Sequence, residues 1–133
     1  MGIREKWQAM VSTRTETGEA HVNKDLQTRY YKTSKDKAMA AVEDVLIRKN
    51  FQIKRSESDR GEIVAVAQKG KKVLIVASVI MVRPFRTAVD FSCATETSLP
   101  SDFGHSKKLT LELYAALDQS LTYIGSALGN ELL

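Results

Sequence analysis

The chain of 133 residues has one cysteine, Cys93, and two histidines, His21 and His105. A single thiol forms no intramolecular disulfide, which points to a reducing compartment. One thiol and two imidazoles are too few for a zinc site. No Asp-rich loop has calcium or magnesium spacing. The "GKK" after a candidate strand lacks the remainder of a phosphate-binding loop, so no cofactor is expected. The opening "MGIREKWQAM" has no apolar core or cleavage site behind it, and Lys6 stands where a myristoylation signal needs Ser or Thr. The most apolar stretch, Val73 to Val82, is about half the roughly 20 residues that a membrane-spanning helix needs. These absences lead to the expectation of a cytoplasmic protein with no enzymatic activity and no membrane span.

The length fits one domain with its own core. The net charge of +4 comes from 20 basic and 16 acidic residues. The excess lies in residues 1–72 and is mild, whereas a dedicated nucleic-acid binder carries a denser basic patch. Nucleic acid is therefore the weaker expectation among partners.

Ile3, Trp7, Met10 and Val11 fall at helical spacing, and "STRTETGEAHVNKD" has almost no apolar periodicity. Residues 1–25 are read as a short helix and a linker, and residues 26–133 as the domain. "LQTRYYKT" is a strand that ends at a helix start. Thr33 or Ser34 caps a helix over Lys35–Lys49, its apolar stripe is Met39, Val42, Val45 and Leu46, and Asn50 stops it. Four strands follow: "FQIKRSE", "EIVAVAQ", the run from Val73, and "TAVDFSCATET". They are separated by turns at Asp59–Gly61, Gly70 and "RPFR". A last helix carries Leu109, Leu113, Leu117, Leu121, Ile124 and Leu128 on one face, with Ser106 or Asp102 as its cap.

The order β-α-β-β-β-β-α predicts an α+β two-layer sandwich, an antiparallel sheet with its helices packed on one face. Over residues 26–128 it resembles the TATA-box-binding-protein-like, or helix-grip, folds. It is similar to the small domains of an outer-membrane assembly lipoprotein. The segment "TSLPSDFGHSKKL" resembles the S-D-x-G segment before the last helix of a bacterial domain family often found on lipoproteins. The chain departs from that family in having no lipobox cysteine. It also resembles small cytosolic proteins of Gram-positive bacteria. These resemblances imply a fold and no reaction.

The run from Val73 poses the sharpest question. One face carries Val73, Ile75, Ala77, Val79 and Met81; the other carries Leu74, Val76, Ser78, Ile80 and Val82. Both are apolar, so both need cover. Helices supply one layer. The other face, lined by Leu74, Val76, Ile80 and Val82, is expected to meet an N-terminal segment, a second copy of the chain, or a ligand. A homodimer through this face is the leading expectation, and an apolar ligand held between sheet and long helix is the alternative. Asp90 points opposite to Val89 and Phe91. It is read as a surface carboxylate or, if it lines a pocket, as the partner of Arg83 or Arg86.

His105 follows Asp102 and Gly104 and precedes Ser106. These are the residue types of a base, its orienting acid and a nucleophile, with Cys93 as a second nucleophile. The reading preferred here is a helix cap and a glycine turn, with Cys93 a small buried hydrophobe. Lys54, Arg55, Arg60, Lys69, Lys71 and Lys72 are read as a solvated rim, or else as a phosphate-binding hairpin region.

Overall fold

The computed structural model describes residues 14–70, 72–96 and 104–128. Seven strands, β1 (Arg14–Glu16), β2 (Arg29–Tyr31), β3 (Phe51–Glu57), β4 (Glu62–Ala67), β5 (Val73–Arg83), β6 (Arg86–Thr95) and β7 (Tyr123–Ser126), form one antiparallel sheet. Among the described residues two α-helices complete it, α1 (Lys35–Arg48) and α2 (His105–Ser120). The chain is thus a mixed α+β protein. The strands run β3-β4-β5-β6-β2-β7, and β1 pairs with the far end of the edge of β6 that also holds β2.

Local chemistry sets the boundaries of α1. The Ser34 hydroxyl accepts from the Lys37 amide at 3.3 Å, and Asp36 lies in the first turn, near the positive end of the helix dipole. Asn50, at φ 67°, takes the left-handed conformation that ends the helix and turns the chain into β3. Gly61 closes the β3–β4 turn. A Cβ there would lie 2.0 Å from the Val79 carbonyl oxygen, so only glycine lets the turn approach β5.

The main core joins Ala38, Met39, Val42, Val45 and Leu46 of α1 and Leu109, Leu113, Tyr114 and Leu117 of α2 to one face of the sheet. That face presents Ile63 and Ala65, then Val73, Ile75, Ala77 and Val79, then Val89, Phe91 and Cys93. α1 therefore meets the predicted odd-numbered face of β5, while α2 lies mainly over β6 and β1. Burying each large apolar side chain here contributes about 1.5–3 kcal/mol before entropy is counted.

Three expectations are corrected. The stretch read as a linker contains β1 and a 3-10 turn at Lys24–Leu26, which leaves only Arg29–Tyr31 of the predicted first strand. The last helix ends at Ser120, not near Leu128; Tyr123–Ser126 instead pairs with β2. β-branched and aromatic residues favour a strand there, and β2 offers an open edge. The cap of α2 is Gly104, at φ 79°, and Ser106 is a helical residue inside it. The predicted helix at residues 3–11 lies outside the described residues.

Candidate functional site

Among the described residues no helix covers the second face of the sheet, here the helix-free face, and its two halves differ. Leu74 is only 7% exposed and sits with buried Ala94 among half-buried Val64, Val66 and Val76. The expectation that Leu74 lines an open surface is corrected: it belongs to a second, smaller apolar cluster. Further along that face Ile80 is 58% exposed and Val82 is half-buried; Met81, on the opposite face at the same end of the strand, is exposed as well.

This open half runs into the β5–β6 hairpin, where Arg83 faces Arg86 and Pro84 and Phe85 form the turn. Phe85 has φ 57°, a conformation that a bulky residue adopts at a cost of about 1–2 kcal/mol. Proline suits the first position of such a turn, but the second normally holds glycine. The Phe85 ring is 61% exposed, so no burial offsets the strain. The Arg86 guanidinium donates to the Phe85 carbonyl at 2.9 Å and steadies the turn. Strain held under an exposed aromatic ring is a feature of functional surfaces.

Asp90 is half-buried and is held by hydroxyls. Its Oδ1 accepts from Thr17 Oγ1 at 2.6 Å and from Thr28 Oγ1 at 2.7 Å. Neither Arg83 nor Arg86 pairs with it among the described residues, because both sit at the hairpin tip. Thr17 also accepts from the Phe91 amide at 2.9 Å. Asp90 therefore fastens the segment between β1 and β2 to β6, which corrects both the open-surface and the arginine-paired readings.

Among the described residues, no hydrogen bond from His105 to Ser106 or Cys93 assembles the acid–base–nucleophile reading. Ser106 is buried, and its hydroxyl hydrogen-bonds Thr15 Oγ1 at 2.8 Å. Cys93 is fully buried on the core face of β6, and burial pushes its thiol up to about 12. Asp102 lies outside the described residues. His105, the first residue of α2, is half-exposed and lines a cleft of about 740 Å³. The floor of that cleft is Phe51, Val73 and Leu109. Among the described residues, no group of three His, Cys, Asp or Glu side chains is placed to hold a metal ion.

The basic turns do not gather. Arg55 pairs with Glu57 at 2.9 Å and with Glu62, and Arg60 lies 3.5 Å from Glu57. Lys69 and Lys72 lie at the other end of the sheet, beside the start of β5. Lys71 is outside the described residues. Carboxylates take up one group, and the length of β4 separates it from the other.

One network escaped the sequence reading. Arg29 forms an ion pair with Asp118 of α2, and the Tyr31 hydroxyl donates to Asp118 Oδ1 at 2.6 Å. The guanidinium carbon lies 4.6 Å from the Tyr114 ring centroid and 5.3 Å from that of Tyr123. Burial first, then the bond to Asp118, raises the Tyr31 hydroxyl well above its ordinary pKa. These contacts tie β2 and β7 to α2. The signals were an arginine beside two tyrosines in "TRYY" and an aspartate four residues after Tyr114.

No protein-family model matches the chain, and no curated protein matches it.

Proposed function

We propose that the chain is a non-enzymatic cytosolic interaction module, a two-layer, TATA-box-binding-protein-like sandwich that pairs with a second copy through the open half of its helix-free face. The observation that carries this reading is the exposure of Ile80 on the strand that runs into the hairpin turn where the strained Phe85 is also exposed. Large apolar side chains exposed to water on one part of a surface mark an interaction site. A second copy fits because the patch is apolar, and an isologous two-fold contact needs only one such patch. Arg83 and Arg86 at the hairpin tip would form its polar rim. Among the described residues, no helix is long and apolar enough to cross a membrane. A patch of this extent gives weak association, at the low end of interface sizes.

The test is a dilution series of the isotope-labelled chain followed by amide chemical shifts. Shifts of Ile80, Val82 and Phe85 are expected to move with concentration while those of Ile75 and Val79 stay fixed. Concentration-independent shifts, or shifts confined to the edges at β3 or β7, would refute the reading.

A further inference from the structure

We infer that the cleft beside His105 is a binding site for a small amphipathic anion, a carboxylate carrying a short apolar body. It lies at the opposite end of β5 from the hairpin tip, about 33 Å away at the rise of a strand, so it stands independently of the proposed dimer surface.

The cleft joins the end of α1, the start of β3, the end of β4, the start of β5 and the first turns of α2. Its volume of about 740 Å³ falls in the range of small-molecule sites. Phe51, Val73 and Leu109 are the margin of the main core, and they give the cleft an apolar floor. Among the described residues the rim carries more cations than anions: Arg48, Lys49 and Lys69 stand beside His105, with Glu112 as the carboxylate. Arg48 shares its charge with Asp44 at 2.9 Å. Lys49 and Lys69 form no ion pair with a described carboxylate.

Two helix ends meet at this rim. α2 starts here with a glycine cap and no acid in its first turn, so its positive end adds to the cationic field. α1 ends here, and Arg48 and Lys49 more than offset its carbonyl end. An apolar floor under a cationic rim discriminates by charge: it favours an acid over the alcohol of the same chain length. A neutral apolar ligand would leave the lysines nothing to bind, and a cation would be repelled.

The experiment uses the full chain with decanoate and 1-decanol as probes, in buffer of physiological ionic strength, read by amide shifts. Decanoate is expected to saturate, moving Lys49, Phe51, Lys69, His105 and Leu109 and leaving Ile80 fixed. 1-Decanol is expected to bind about tenfold or more weakly. The double variant Lys49→Glu/Lys69→Glu should lose decanoate binding about tenfold or more while keeping its thermal midpoint. Equal binding of acid and alcohol would overturn the inference. So would shifts centred on Ile80, no saturation, or undiminished binding in the double variant.

Discussion

The two faces of β5 have nearly the same composition and opposite fates. Val73, Ile75, Ala77 and Val79 lie in the main core that the sheet shares with α1 and α2, and they are buried. On the reverse side the strand grades from buried Leu74 to exposed Ile80. The difference lies in what the rest of the chain lays over each side. Hydrophobic alternation says which residues want cover; topology and register decide which of them get it.

Four substitutions or conditions sharpen this contrast. The largest effect is expected from Val79→Asp, which buries an unpaired carboxylate in the main core. It should cost more than about 4 kcal/mol, much of the stability of an ordinary domain, and urea unfolding would show a chain largely unfolded at room temperature. A well-folded Val79→Asp chain would mean that the helix-covered face is not the core.

Next is Arg29→Ala. It leaves Asp118 without its cation and removes the group stacked between Tyr114 and Tyr123. Because both charged groups keep some exposure, the expected loss is about 2–3 kcal/mol, below the full figure for a buried pair. Hydrogen exchange at β7 should rise more than at β4, since β7 depends on this network.

High pH should act through buried thiol and phenol groups, most of them on the covered face; Tyr30, outside that core, is raised by burial as well. The Cys93 thiol is pushed up to about 12 by burial, and Tyr31 and Tyr114 are raised above the ordinary tyrosine value by the same cause first. The unfolded chain loses these protons first, so stability is fully present below the ordinary thiol pKa near 9. It is lost as pH climbs from there toward 12. Urea midpoints should be level from about pH 7 to 8.5 and fall above about 9.5. Alkylation of the native chain at about pH 8 should leave Cys93 unmodified, because the thiolate is scarce and out of reach.

The smallest effect is expected from Ile80→Ser, one position along from Val79. Its stability should change by about 1 kcal/mol or less, because the side chain already meets water. A loss as large as that of a core substitution would show that the open face is covered after all.

Local signals made much of this legible. The Ser34 cap, the Asn50 stop and the two turns at Gly61 and Gly70 all stand where residue type and spacing place them. So do the strands from β3 to β6 and the two faces of β5. The strand β7 was hidden because Leu117, Leu121, Ile124 and Leu128 continue a helical period. What decides that segment is the edge of β2, more than 90 residues earlier, which spacing cannot report. β1 was hidden because "RTE" is short and polar, and only its pairing with β6 makes it a strand. Asp90 was misread for the same reason, since its threonine partners lie 62 and 73 residues away. The cleft gathers residues from five elements, and no window of sequence contains it.

The central claim is that the uncovered half of the helix-free face is an interface. The most direct measurement is solution mass by light scattering across a dilution series, on the native chain and on Ile80→Asp. The account predicts that the native mass rises above 14.8 kDa toward twice that value as concentration increases, and that Ile80→Asp stays at 14.8 kDa while remaining folded. A native chain at 14.8 kDa at every concentration, or an Ile80→Asp chain that associates as the native one does, would contradict it.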